Sequence, residues 1–188
     1  MSRTFDGLWR RRSVTIGDAA PTEPARVHWI QWDGHYLDLR VPRVAGRRPL
    51  CGPGTFGGTT SWTDPVLTWH HDIDSEPGPD ADEGTVRWLA EDLLEERGLA
   101  VLDGASTEYV EVWARIGRVP DRGRHWSSAA GSMAVEAGPH RMAAVVDAAG
   151  AWAAGRSQLD ATGSWRILEI SGDAGLAAVL HPALLDAS

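Results

Sequence analysis

The chain has 188 residues, a formal net charge of −8, and ten tryptophans against two phenylalanines and two tyrosines. This length predicts one domain, 1–188, with a full hydrophobic core, and the negative charge argues against a nucleic-acid partner because the phosphate backbone would repel it. No apolar run approaches the length of about 18 residues that a membrane span needs, and all basic side chains are Arg, which excludes Schiff-base chemistry on a lysine.

Segments in which apolar and polar residues alternate follow one another along most of the chain and predict β-strands. The clearest are 26–32 and 35–41, joined by Asp33-Gly34, a typical hairpin turn. Further strands are predicted at 8–16, 55–62, 66–73, 85–89, 109–116, 132–136, 141–147, 152–158 and 164–170. The pattern at 89–97 fits either a strand or a helical turn, an acidic surface loop is expected at 75–82, and a short helix at 173–185.

About ten such strands are enough to close a barrel. We therefore predict an all-β fold, an antiparallel calycin/lipocalin-like barrel with a short C-terminal helix. A cytoplasmic location is expected because residues 1–12 lack the apolar core of a secretory signal and the single Cys51 rules out an intramolecular disulfide. A homodimer is an open alternative to a monomer.

Two of the strands carry polar groups on one side and apolar groups on the other, since alternate side chains face opposite ways. The polar sides hold Tyr36, Asp38 and Arg40 in one strand, and Tyr109, Glu111, Trp113 and Arg115 in the other. A half-solvated sheet with its polar side in water is the favoured interpretation. The alternative is that these groups line a ligand cavity inside a barrel.

The richest cluster of titratable groups lies at 69–74, Trp-His-His-Asp-Ile-Asp. Alternation places Trp69, His71 and Ile73 on one face, so His71 is a candidate acid or base beside an aromatic ring. His70 and Asp72, on the other face, make at most half of a metal site. Histidines from other strands would have to complete that site, and we predict neither a metal nor a cofactor.

Two further segments are interpreted as structural rather than chemical. The glycine-rich stretch at 52–60 lacks the lysine and the following helix of a phosphate loop, so its glycines are read as turn and close-packing positions. The stretch from His125 to Ser128 is read as a loop of small residues.

Five segments carry a resemblance to a known family. They are DGHYLDLRVP (33–42), TFGGTTSW (55–62), WHHDID (69–74), DEGTVRW (82–88) and EYVEVWARI (108–116). In this order they resemble the Hri-type family of calycin-like proteins, which is fungal and bacterial. The resemblance implies a β-barrel closed around an internal cavity and no particular reaction. Four residues match the motif by position: Tyr36, Arg40, Glu111 and Trp113.

Three functions are compatible with these observations. The first is a barrel that binds a hydrophobic or aromatic small molecule in a cavity lined by Trp29, Tyr36, Trp69, Tyr109 and Trp113, with an Arg40–Glu111 ion pair at its polar end. The second is a cofactor-free isomerase, cyclase or lyase of bacterial specialised biosynthesis, in which Arg40 stabilises an oxyanion and His71 or Glu111 moves a proton. The third is a protein-interaction module, which would need an exposed apolar patch.

Overall fold

A computed structural model describes residues 3–43, 53–76, 81–102, 104–128 and 131–185. Eight strands come first: β1 (Gly7–Ile16), β2 (Ala25–Trp32), β3 (His35–Pro42), β4 (Gly54–Thr63), β5 (Val66–Asp74), β6 (Ala81–Ala90), β7 (Leu93–Leu102) and β8 (Ala105–Ile116). The second group is β9 (Gly123–Ser128), β10 (Ser132–Ala137), β11 (His140–Val146), β12 (Trp152–Leu159) and β13 (Trp165–Gly172), followed by helix α1 (Ala174–Leu185).

The first eight strands form a closed antiparallel barrel in chain order, with β1 pairing to both β2 and β8. The predicted hairpin is β2–β3: Trp32 pairs with His35, and the two turn residues Asp33 and Gly34 have φ angles of 49° and 75°. Two positive φ angles match the right-handed twist of the flanking strands, which is why Asp-Gly marks such turns. The predicted all-β barrel with a C-terminal helix is confirmed.

The strands after residue 116 form a separate five-stranded sheet, in the order β13-β12-β11-β10-β9, that packs on the outside of the barrel. Leu37 and Leu39 of β3 face outward and meet Met133 and Val135 of β10 in a shared apolar core. Helix α1 covers the other face of this sheet through Leu180. Within the described residues, no helix has the length and apolar character needed to cross a membrane.

The second sheet overturns the interpretation of β3 as half-solvated. Its apolar side, with Leu37 and Leu39, is buried against that sheet, while Tyr36 and Asp38 on its polar side are buried inside the barrel, at 0% and 3% exposure. A strand between a barrel interior and a second layer has no wet face. The polar side chains therefore point inward.

Two strands differ from the sequence analysis: the pattern at the start of β7 fitted either a strand or a helical turn, and β9 was interpreted as a loop. In β7 Leu99 and Val101 are 71% and 77% exposed while Glu96 is buried, so these three positions are opposite to the usual pattern of apolar residues inside and polar residues outside. Residues 125–128 belong to the short β9, the edge strand of the second sheet, so their interpretation as a loop is wrong; most residues of this strand are exposed.

The glycine-rich segment is a strand rather than a turn from residue 54 onward. Gly57 and Gly58 lie inside β4, where a side chain on Gly57 would collide with Leu37 and one on Gly58 with the backbone of His70. The close-packing part of the prediction is therefore confirmed. Cys51 and residues 77–80 of the expected acidic loop lie outside the described residues, and Ala81 and Asp82 at the end of that loop already belong to β6.

Candidate functional site: an aromatic cavity inside the barrel

A cavity of about 320 Å³ lies inside the barrel. Its aromatic lining is Trp29, Tyr36, Phe56, Trp69, Tyr109 and Trp113. The Trp29 ring lies edge-on to Trp69 and to Trp113, with centroids 5.9 and 5.8 Å apart and interplanar angles of 73° and 83°. Aromatic pairs favour this T-shaped geometry. The three indoles thus form a preformed corner rather than a collapsed stack.

All five aromatic residues that the sequence proposed for ligand binding lie on this cavity, as do Arg40 and Glu111. The reason is the strand period: β3 and β8 each direct every second side chain inward. The sequence missed Phe56 and Glu96, which also line the cavity.

Glu96 is the most unusual group in the cavity wall. It is 6% exposed, and its two carboxylate oxygens accept hydrogen bonds from the Tyr109 hydroxyl at 2.9 Å and from Trp113 Nε1 at 3.0 Å. Burial, with a smaller contribution from the nearby charge of Glu111, raises the pKa of Glu96 to about 8. The two glutamates lie opposite each other on paired strands. The signal for Glu96 is the pairing of β7 with β8, which places residue 96 opposite Glu111.

Gly98 makes this arrangement possible. It lies opposite Tyr109 in the β7–β8 register, and a side chain at this position would collide with the phenol ring. With only a hydrogen atom there, the ring lies over the strand and its hydroxyl reaches Glu96, two residues away. Burial, together with the charge of Glu96, raises the pKa of Tyr109, so the phenol stays a neutral donor.

The predicted Arg40–Glu111 ion pair is wrong. The Arg40 Nε donates to Asp38 at 2.9 Å, and Glu111 is bonded to Arg11, a fully buried side chain that also binds Glu23 at 2.9 Å. Strand order explains the error, because β1 and β2 separate β3 from β8 around the barrel. Arg40 and Glu111 face one cavity but are not cross-strand neighbours.

The electrostatics of Arg40 and Asp38 follow from this pairing. Burial alone would lower the pKa of Arg40, but the charges of Asp38 and Glu111 outweigh it and raise that pKa. Burial raises the pKa of Asp38 even though Arg40 opposes the shift. The Arg40 guanidinium also lies over the Phe56 ring, 4.7 Å from its centroid. Its position is therefore set from two sides.

Two polar atoms at the cavity have no hydrogen-bond partner among the described residues. They are the hydroxyl of Tyr36 and the Nε1 of Trp29, on side chains that are 0% and 2% exposed. Burial raises the pKa of Tyr36, so its hydroxyl keeps its proton and can both donate and accept. A buried donor without a partner costs about 1–3 kcal/mol. Both atoms belong to residues of the cavity wall, where a bound molecule could satisfy them.

His71 does not line the cavity. It packs beside Phe56, with ring centroids 5.0 Å apart, and its Nδ1 lies 2.9 Å from Asp74. Its Nε2 lies 3.5 Å from the carboxylate of Asp82. The two acidic partners fix the imidazole behind the wall. The prediction that His71 faces a ligand directly is therefore not supported by its position.

A bulge in β5 accounts for the side chains around His71. Gly57 pairs with Ile73 and Gly58 with His71, so Asp72 is an extra residue on this strand. The bulge reverses the alternation, and Ile73 turns outward into the core shared with the second sheet. The expected common face of His71 and Ile73 is wrong for this reason.

The cavity opens to the side, through a gap between β6 and β7. Thr85 and Arg97 form the last pair of these strands at that end; beyond them 81–84 pairs with β5, and 98–102 pairs with β8. Asp82 and the exposed Leu99 line both the cavity and a groove on the outside of this gap. A small molecule could enter here without unfolding the barrel.

The histidines of the other strands, which would have to complete a metal site with His70, are distributed over separate parts of the fold. His28 is buried on the outer side of β2, where burial and then the charge of Arg156 lower its pKa to about 3. His35 stacks on His125, with ring centroids 3.3 Å apart. In the described part of the chain, no group of three or more His, Cys, Asp or Glu residues is arranged to hold a metal ion.

Fold and site together define an antiparallel β-barrel with an internal, aromatic cavity and a lateral opening. The family described as Protein HRI1 matches residues 7–169, and the chain belongs to that family. No curated protein matches the chain.

Two solved structures share some similarity with the chain. A lipocalin-like protein from Bacteroides uniformis ATCC 8492 is 12% identical, with a TM-score of 0.42, over 59% of this chain and 97% of that one. An uncharacterized protein from Bacteroides eggerthii DSM 20697 is 13% identical, with a TM-score of 0.39, over 58% of this chain and 98% of that one.

Proposed function

We propose that this protein binds a small hydrophobic or aromatic molecule in the barrel cavity. The observation that carries the proposal is the pair of buried, unpartnered polar atoms on an aromatic wall, the Tyr36 hydroxyl and Trp29 Nε1. Protein cores satisfy such atoms or avoid them. A cavity of about 320 Å³ with aromatic walls and a few convergent polar groups matches the usual form of a small-molecule site.

The wall indicates how a ligand would be held. The indoles of Trp29, Trp69 and Trp113 offer ring edges and faces to an aromatic group, and burying that group removes apolar surface from water. Trp29 Nε1 can only donate, so it calls for an acceptor on the ligand or on a bridging water. The Tyr36 hydroxyl can donate or accept a hydrogen bond. Affinity would come from the rings and orientation from these two atoms.

The test uses N-phenyl-1-naphthylamine, a neutral probe whose fluorescence rises in an apolar site. We expect saturable binding to the wild-type protein, at least tenfold weaker in Trp113→Ala and severalfold weaker in Tyr36→Phe. Trp152→Phe is the matched control, because Trp152 packs in the core between the barrel and the second sheet and is absent from the cavity wall. Absence of saturable binding, or equal binding by all variants, would overturn the proposal.

One observation favours the enzymatic alternative in a modified form. The cavity wall holds Glu96, whose pKa is raised by burial to about 8, and general acids and bases work best when their pKa lies near the working pH. In a cofactor-free isomerase, cyclase or lyase, Glu96 would be the proton donor or acceptor. Product analysis of a bound substrate would decide: turnover that Glu96→Gln abolishes while binding persists supports catalysis.

The remaining expectations concern location and assembly. A cytoplasmic location is supported by the single cysteine, and a homodimer stays a prediction that sedimentation would test. The interaction-module alternative draws on the exposed Leu99 and Val101 at the cavity opening. It gains support only if the cavity fails to bind small molecules.

A further inference from the structure

The cavity wall carries an excess of negative groups. Its charged residues are five carboxylic acids and one guanidinium: Asp38, Asp82, Glu83, Glu96, Glu111 and Arg40. Behind the wall, Arg11 adds a cation, but it already binds both Glu23 and Glu111. The cavity is thus poorly suited to an anionic ligand.

Arg40 does not change this balance. Its Nε donates to Asp38 at 2.9 Å, and its guanidinium lies over the Phe56 ring. An anion that recruited Arg40 would compete with Asp38 and would leave that buried carboxylate without its partner. Breaking a buried pair in this way is costly.

No cation of the described residues forms an ion pair with Glu96, although the charge of Arg40 acts on it. The donors that reach it within the described residues are both neutral, the Tyr109 hydroxyl and the indole N–H of Trp113. Glu111, which faces it from β8, has the same sign, and Arg40 on β3 is held by Asp38. A buried carboxylate is stable in its charged form only with a counter-charge. A cation in the cavity would supply it.

The aromatic lining favours the same class of ligand. The faces of Trp29, Trp69 and Trp113 are negative in their quadrupole and attract an ammonium group. The unpartnered Tyr36 hydroxyl can accept a hydrogen bond from that group. Its surroundings are acidic too, with Asp38 and Asp82 acting on it.

We infer that the ligand of this cavity is a cationic amine with an aromatic or alkyl body, whose ammonium group lies next to Glu96. The inference rests on the proposed function, since it names the chemical class of the molecule bound there. Ammonium binding would favour the charged form of Glu96. When Glu96 is protonated beforehand, it should release a proton as the amine enters.

Calorimetric titration at pH 7 tests the inference with two matched series. The first is tryptamine, tryptophol and indole-3-acetate, and the second is phenethylamine, phenethyl alcohol and phenylacetate. In the series that fits the cavity, we expect the amine to bind at least tenfold tighter than the alcohol, and the acid to bind weakest. An alcohol or acid that equals the amine overturns the inference and leaves the proposed function standing.

Two variants separate the role of Glu96 from general surface charge. Glu96→Gln should reduce amine affinity to that of the alcohol and leave alcohol affinity unchanged. Glu95→Gln is the control, because the neighbouring Glu95 binds Arg87 and Arg97 on the outside of the barrel. Equal loss of amine affinity in both variants would contradict the inference.

Proton release gives an independent readout. Amine binding measured in phosphate and in Tris should differ in enthalpy, because the two buffers take up the released proton with different heats. Alcohol binding should show no such difference in enthalpy. The Glu96→Gln variant should show no such difference for the amine either. If neither series binds and N-phenyl-1-naphthylamine does not bind either, the proposed function fails as well. If that probe binds and neither amine does, only the inference fails.

Discussion

The two ends of the barrel are built from the same residue types and finished in opposite ways. At one end Phe5 packs on Trp29 and Trp88, and Trp9 Nε1 donates to the Phe5 carbonyl at 2.7 Å. Towards the other end the cavity opens, and two atoms on its wall, the Tyr36 hydroxyl and Nε1 of the same Trp29, have no hydrogen-bond partner among the described residues. The first end is a fully packed core, whereas the second encloses the cavity.

The arginines differ in the same way. Arg115 lies 4.2 Å above the Trp9 ring and donates to the backbone carbonyls of Thr4 and Asp6, so it ties the N-terminal segment across the barrel. Arg40 lies over Phe56 in the cavity wall and binds only Asp38 among the described residues. Residue composition therefore does not distinguish the packed end of the barrel from the cavity. Hydrogen-bond satisfaction does.

The largest expected effect on stability comes from removing an aromatic side chain at the packed end. Trp9→Ala should lose about 3–5 kcal/mol of unfolding free energy, because its ring is 0% exposed and packed on all sides. Trp69→Ala, on the cavity wall, should lose about 1–3 kcal/mol, because part of its surface already faces empty space. Guanidinium denaturation measures both. A greater loss at Trp69 would contradict the proposed difference between the ends.

An intermediate effect is expected in the pH dependence of stability. The pKa of Glu96 is about 8 in the folded protein and near 4.5 unfolded, so the folded state holds its proton more tightly. The contribution of Glu96 to the unfolding free energy is complete below its unfolded pKa and is lost as the pH rises through 8. Between pH 5 and pH 8 the protein should lose on the order of 2–4 kcal/mol of stability from this group.

Glu96→Gln should lack that loss. The difference between the pH profiles of variant and wild type isolates the contribution of Glu96. The lowered pKa of His28 favours folding as the pH rises from 3 to 6.5, but this contribution is the same in both proteins. Unfolding free energies at pH 5 and pH 8 provide the comparison. Parallel pH profiles for the two proteins would show that Glu96 is not buried in the manner described.

The smallest expected effect distinguishes a pocket hydroxyl from a core hydroxyl. Tyr36→Phe should leave the empty protein unchanged or more stable by about 1 kcal/mol, since it removes a buried polar atom that has no partner. The same change should weaken probe binding. Thermal denaturation without ligand measures the first effect, and a clear destabilisation would mean that the hydroxyl has a structural partner.

Much of the barrel could be predicted because local rules determine it. The β2–β3 turn needs two positive φ angles, and Asp33-Gly34 supplies them. The inward row of Tyr36, Asp38 and Arg40 follows from the strand period once the barrel is known. The sequence analysis assumed that one side of β3 faces water. Neither side does, because the strand lies between the barrel interior and the second sheet.

The errors at the site arise from non-local pairing. The partner of Arg40 depends on strand order, and the facing of Ile73 depends on one extra residue, Asp72, in the β4–β5 register. Glu96 was missed because the pattern at 89–97 fits either a strand or a helical turn, and because β7 buries this acidic residue while Leu99 and Val101 are exposed.

The most direct test of the central claim uses fluorine NMR on protein labelled with 5-fluorotryptophan, with the ten resonances assigned by single Trp→Phe variants. On saturation with N-phenyl-1-naphthylamine, we predict shifts for Trp29, Trp69 and Trp113 of the cavity wall. The resonances of Trp126, Trp152 and Trp165 in the second sheet should stay in place. Shifts confined to the second sheet, or no shifts at all, would contradict a binding site inside the barrel.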